Sequence, residues 1–251
     1  SGRATSASKR ARLTCRIASP FAKTAEVSFW STQPVKTICP PCVALALTEY
    51  QDMTLLLDID ACSLCADRFA ATATAHAPRP VVWFNSGARI LIACQAPGVR
   101  VQISGRPFTD PSGGRLRDWM GVTDDTFYDR TRVAILPMAF CFPGYNAAGS
   151  DLPPPPICAK TWRQPAMDHI GTPALTLLIG GYAQKWHLGG KSSVTDRVAG
   201  WKTFAPNVFP LPHPSWRNTG WITKNPWFET DLLPALKARV QSALAEKTST
   251  A

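Results

Sequence analysis

Four short apolar runs, Arg89 to Cys94, Arg132 to Leu136, Ala174 to Ile179 and Asn207 to Leu211, are each followed by a stretch with helical spacing. Strand-length runs rich in Ile, Leu and Val that alternate with helix-length stretches need crossover connections, and crossovers build a parallel sheet covered on both faces. The helical stretches fall at Ser112 to Gly121, Cys158 to Ile170, Gly181 to Leu188 and Pro226 to Leu244. The expectation is an α/β fold, a three-layer α/β/α sandwich around a central, mostly parallel four-stranded sheet. The 251 residues exceed the modal domain of about 100–150 residues, yet they fit one such domain with an additional arm.

The arm is at the N-terminal end. Arg3, Lys9, Arg10, Arg12, Arg16 and Lys23 occur among Ser, Ala and Thr with no carboxylate before Glu26, and nothing there builds a core. Residues 1–40 fit a disordered DNA-binding arm, an organelle transit peptide or an extension foreign to the protein, with the disordered arm preferred. No uninterrupted apolar segment follows the basic start, which argues against a secretory signal. The main domain is expected over 41–245 and a disordered tail over 246–251. Within the domain, Pro41 to Leu57 has loose helical spacing, a second short helix is expected to carry Cys62 and Cys65, and Pro153 to Pro156 forms a stiff extended connector.

Charge and cysteine usage narrow the class. Lys+Arg 27 against Asp+Glu 17 gives a net charge of +10, which favours a polyanionic partner, nucleic acid first and an anionic lipid surface second. No run of 18 apolar residues exists, so no membrane span is expected. The eight cysteines are too few for a small disulfide scaffold, and their C-x2-C pairs favour metal or cluster ligation in a reducing, intracellular compartment.

Two loops carry the chemistry. The run Arg89 to Cys94 passes directly into Gln95-Ala96-Pro97-Gly98 and then Gly105-Arg106-Pro107-Phe108-Thr109-Asp110-Pro111-Ser112-Gly113-Gly114. Ligands collect at the carboxyl ends of parallel strands, where short side chains let backbone amides face a substrate. Asp110 and Pro111 look like an N-cap and a first-turn proline, so Ser112 and Gly113 either offer free amides to a phosphate or form a plain turn. The second loop, Pro212-His213-Pro214-Ser215-Trp216-Arg217-Asn218, follows the last run. Its two prolines restrict the backbone around His213 and limit the directions in which the imidazole points, which suits stabilisation of an anion.

Together these loops resemble the uracil-DNA glycosylase superfamily, through Gln95-Ala96-Pro97-Gly98 with Gly105 to Phe108, and through His213 to Asn218. The resemblance extends through Leu116 to Val122, Phe127 to Asp129, Ile179 to Gln184 and Asn225 to Glu229, and covers about Ala61 to Val240. It is closest to a bacterial branch near the iron-sulfur uracil-DNA glycosylases. What it implies is a monofunctional enzyme, cytoplasmic and associated with the bacterial nucleoid, monomeric, that excises uracil or a related deaminated base from DNA and initiates base excision repair. Phe108 would stack on the everted base, and Ala96, Pro97 and Gly98 would line the floor. His213 would stabilise the leaving anion and Gln95 would orient water, while Ser112, Gly113, Ser215, Trp216 and Arg217 would contact DNA.

The resemblance also bears on the metal. Cys62, Cys65, Cys141 and Cys158 resemble the four ligands of a [4Fe-4S] cluster, supported by Phe140 to Gly144 and by Pro156-Ile157-Cys158. Spacing alone favours zinc on Cys39, Cys42, Cys62 and Cys65. Two departures from the family pattern stand out. The first motif has Gln95 and Ala96 where efficient uracil glycosylases carry a carboxylate, leaving Asp110, Asp118 and Asp151 as substitutes, and Gln95 cannot remove a proton from water at neutral pH. Pro137 stands where the iron-sulfur enzymes place an asparagine that reads the base edge, so Asn146 and Gln184 become polar candidates. A non-catalytic protein that binds uracil-containing or abasic DNA is the alternative function.

Overall fold

A computed structural model describes residues 53–245. The basic arm, most of the helix expected over Pro41 to Leu57, the C-terminal tail, and Cys39 and Cys42 lie outside the described residues. The strands are β1 Ile90–Cys94, β2 Val133–Pro137, β3 Leu175–Ile179 and β4 Val208–Leu211, within a residue of the runs read from the sequence. They form one sheet in the order β2-β1-β3-β4, and all three strand pairings are parallel, as the expected α/β architecture requires. Pro137 ends β2 and Pro210 sits in β4, both outer strands, where a missing N–H costs no ladder bond on the open side.

Nearly every strand residue is buried, as a sheet covered on both faces requires. Side chains alternate between the faces. Ile90 and Ile92 pack with Leu116, Trp119, Leu236 and Val240, whereas Leu91 joins Phe84, Trp162, Ala166 and Ile170. The period of two along β1 therefore divides the core into two apolar layers, one under each set of helices.

The helices that position the site are α1 Val99–Ser104, α2 Pro111–Met120, α3 Gln164–Ile170, α4 Gly180–Leu188 and α5 Leu233–Ala245. Two expected helices are broken. The stretch Cys158 to Ile170 contains a π turn, Ala159–Arg163, before α3, and the stretch Pro226 to Leu244 contains another, Phe228–Leu232, before α5. Each π turn is followed two residues later by a proline, Pro165 or Pro234, whose ring collides with the carbonyl one turn back and which donates no bond to it. Widening the preceding turn accommodates both defects. Helices such as α1, Asp124–Tyr128, Val194–Ala199 and Thr219–Lys224 have five or six residues, too few to show a period in the sequence. Cys62 and Cys65 do not share a helix: Cys65 is the N-cap of Ala66–Ala70 and Cys62 lies in the turn before it. Among the described residues no helix is long and apolar enough to cross a membrane.

Candidate active site

The chain leaves β1 toward β2 and leaves β3 toward β4, so the connections diverge between the two central strands and open a crevice at their carboxyl ends. A cleft of 420 Å³ occupies that edge, within the range of small-molecule sites. Gln95, Ala96, Pro97, Gly98, Phe108, Ser112, His213 and Arg217 all line it. The first loop is held from below, because the Met138 amide donates to the carbonyls of Cys94 (2.8 Å) and Gln95 (3.0 Å) and the Ala139 amide donates to Gln95 (3.2 Å). The amides of Ala96 and Gly98 and the Gln95 carboxamide find no hydrogen-bond partner among the described residues, and they stand at the cleft wall.

Phe108 is 8% exposed, with φ +54°, a left-handed conformation that costs a bulky residue about 1–3 kcal/mol. Three contacts on its carbonyl hold it there. The Tyr128 hydroxyl donates at 3.0 Å and Arg117 at 3.4 Å, and Gly113 packs so closely that a Cβ on it would lie 1.8 Å from the Phe108 oxygen. Gly113 is thus a packing glycine. It is buried, and its amide donates to the Asp110 carbonyl at 2.9 Å, so the expected DNA contact through that amide is not available. Ser112 is also buried, and its hydroxyl donates to the Asp110 carboxylate at 2.9 Å. Asp110 occupies the N-cap of α2 without accepting a side-chain capping bond from its amides.

His213 closes the cleft from the β4 side. Its Nδ1 accepts the Ser215 amide at 3.2 Å, and its carbonyl accepts the Asn218 carboxamide at 2.7 Å. Burial holds the imidazole below its usual range, opposed in part by the negative charges of Asp110 and Asp151. The ring is therefore neutral at pH 7, and the amide bond on Nδ1 assigns the proton to Nε2 as a free donor. Arg115 anchors this loop to α2 by donating to the Ser215 carbonyl at 3.1 Å and to Thr219. The Ser215 hydroxyl accepts the Arg217 amide at 3.1 Å and serves the loop's own turn. Trp216 stands 74% exposed beside the cleft and does not pack beneath the loop.

Of the three substitute carboxylates, Asp110 and Asp151 line the cleft, whereas Asp118 lies exposed on α2 outside it. Pro137 lines the cleft, but its carbonyl is taken by Arg163 at 3.1 Å, so neither its side chain nor its carbonyl is free to read a base. Gln184 is fully buried and donates to the carbonyls of Leu178 and Leu211, tying β3 to β4, and the Asn146 carboxamide accepts the amides of Ala148 and Ser150 in a local turn. Trp83, Arg100 and Tyr145 also line the cleft and were missed. Trp83 arrives through an isolated antiparallel bridge to Ile135, a long-range pairing that leaves no local signal.

The four cysteines of the expected cluster gather elsewhere. Cys62, Cys65, Cys141 and Cys158 line one small apolar cavity of 20 Å³ with Phe69, Phe140 and Trp162. The Trp162 indole donates to the Cys62 sulfur at 3.3 Å, and the Phe140 amide donates to the Cys158 sulfur at 3.4 Å. Burial first, then the neighbouring cysteines, pushes Cys141 up to about 12 and Cys158 up to about 11. Among the described residues no three ligating side chains converge on a point that would hold a single ion.

Residues 81–237, well over half of the chain, match the family model for the uracil DNA glycosylase superfamily. That span contains the four-stranded parallel sheet, both loops at its carboxyl edge and the cleft between them. With this match and this architecture, the chain belongs to the uracil DNA glycosylase superfamily.

Proposed function

We propose that this protein is a monofunctional DNA glycosylase that hydrolyses the N-glycosidic bond of uracil or a related deaminated base in DNA and so initiates base excision repair. The observation that carries this reading is the meeting of Phe108 and His213, from loops far apart in the sequence, on one cleft at the carboxyl edge of the sheet. A base inside a duplex is out of reach, so the nucleotide must swing out to enter such a cleft. The Phe108 ring offers a face for stacking. As the bond from C1′ to the base breaks, negative charge grows on the base, and the His213 Nε2–H is a preorganised donor for it. Exposed Trp216 is placed to fill the gap left in the stack, and Arg217 to meet the backbone. With Pro137 engaged by Arg163, reading of the base edge falls to the free amides of Ala96 and Gly98 and to the Gln95 carboxamide.

The same proposal assigns a [4Fe-4S] cluster to Cys62, Cys65, Cys141 and Cys158. Four sulfurs lining one apolar cavity, with N–H donors to those of Cys62 and Cys158, are a soft-ligand set of the kind such a cluster takes. When bound, such a group supplies a structural tie between the Cys62 turn, the segment after β2 and the helical turn at Cys158.

Incubation of the protein with a labelled uracil-containing oligonucleotide, followed by alkali, tests the function. Strand breaks at the uracil support the glycosylase. A shifted band without breaks replaces it with the DNA-binding alternative, and a panel with hypoxanthine, xanthine and mismatched thymine ranks the bases.

A further inference from the structure

Hydrolysis needs a group that takes a proton from the attacking water, and the first motif supplies none. Gln95 carries an amide and Ala96 a methyl group. His213 is not a free base, since protonating its Nδ1 would break the bond from the Ser215 amide. Two carboxylates remain in the cleft, and their surroundings differ. Asp110 already accepts the Ser112 hydroxyl at 2.9 Å and is tied to the N-cap position of α2.

Asp151 is the opposite case. No described residue donates a hydrogen bond to its carboxylate, which leaves its lone pairs open to the cleft. Its backbone, in contrast, is fixed on both sides. An antiparallel bridge pairs it with Tyr145, the Leu152 amide donates to the Gly144 carbonyl at 2.9 Å, and Pro153 to Pro156 stiffen the chain beyond. The groups facing it in the cleft are His213 and Arg217 from the loop after β4, Asp110 before α2, Arg100 on α1, and Tyr145. Partial burial raises the Asp151 carboxyl above its usual range, against the pull of Arg217 and His213. A carboxylate disfavoured as an anion and left without donors is a better proton acceptor than one held by a hydroxyl.

We propose that Asp151 is the general base of this site, taking a proton from the water that attacks C1′ of the everted nucleotide. This rests on the glycosylase reading above and deepens it. The water oxygen bonds to C1′ as the C1′–N bond breaks, and the bonding pair leaves with the base as an anion held by the His213 Nε2–H. The proton on Asp151 passes to solvent, and the base anion takes one from solvent, leaving an abasic deoxyribose and a neutral base.

The test compares the full-length wild-type chain with Asp151→Asn and Asp110→Asn in single-turnover excision of uracil from an oligonucleotide. Binding to a duplex with an abasic-site analogue is measured in parallel. Asp151→Asn is expected to slow excision about 100-fold or more while binding stays within about threefold, and Asp110→Asn to slow it less. The wild-type rate is expected to fall on acidification with an apparent pKa above the ordinary aspartate range, and Asp151→Asn to lose that limb. Asp151→Asn is further expected to melt no lower than wild type, since it discards a charge that burial disfavours. Excision by Asp151→Asn within tenfold of wild type, or a larger loss in Asp110→Asn, overturns the proposal. Absence of excision by the wild-type protein defeats the glycosylase reading, and the proposal falls with it.

Discussion

The cavity lined by the four cysteines and the cleft lined by His213 are joined by one short segment, since Pro137 faces the cleft while Phe140 and Cys141 face the cavity. They treat polar groups in opposite ways. In the cavity the sulfurs of Cys62 and Cys158 each receive an N–H donor, and aromatic rings line the space around the four cysteines. In the cleft the Asp151 carboxylate, the Gln95 carboxamide and the amides of Ala96 and Gly98 have no partner among the described residues. A buried group that is already satisfied can only hold structure together, whereas one held in place and left unsatisfied is ready for a ligand. The segment between them also transmits rigidity, because the amides of Met138 and Ala139 clamp the Gln95 carbonyl from the cavity side.

The sharpest way to break this contrast is to remove one group from each side. His213→Ala is expected to lower single-turnover excision about 100- to 1000-fold, the usual cost of losing one preorganised donor, with little change in the melting temperature. A rate within threefold of wild type would take His213 out of the chemistry. Cys158→Ala is expected to act in the other sense. It should abolish iron, sulfide and visible absorption and lower the melting temperature by several degrees, while excision per folded molecule falls by less than in His213→Ala. Zinc without iron in the wild-type protein would replace the cluster with a different site. Trp216→Ala gives the smallest effect, about three- to tenfold weaker binding to uracil-containing DNA, because an exposed ring loses only stacking. Unchanged binding would leave Trp216 as a solvent-facing residue with no part in the interface.

Local signals account for what was readable and for what was not. The two loops could be recognised because Gln95 to Gly98 and His213 to Asn218 are short, ordered motifs next to apolar runs. Gly113 was misread, because a glycine that lets an amide approach a phosphate and one that lets a helix approach a carbonyl look identical in sequence. The proline after each π turn was visible, but its consequence was not, since a proline can end a helix or be absorbed by a wider turn. Among the substitute carboxylates, Asp118 has the exposed helix position that is the commoner role for such a residue, whereas only the fold shows that Asp151 lines the cleft.

By itself the sequence determined the layered α/β architecture, because strand and helix periods depend on near neighbours in the chain. It also pointed to the two loops that the fold brings together on one cleft. Only the tertiary structure decided which polar groups stay unpaired in the cleft, that the Pro137 carbonyl is lost to Arg163, and that Trp83 and Tyr145 complete the wall. Hydrogen-bond satisfaction depends on partners brought together by sheet pairing and helix packing, and that information is spread over contacts too distant in the chain for any local pattern to hold.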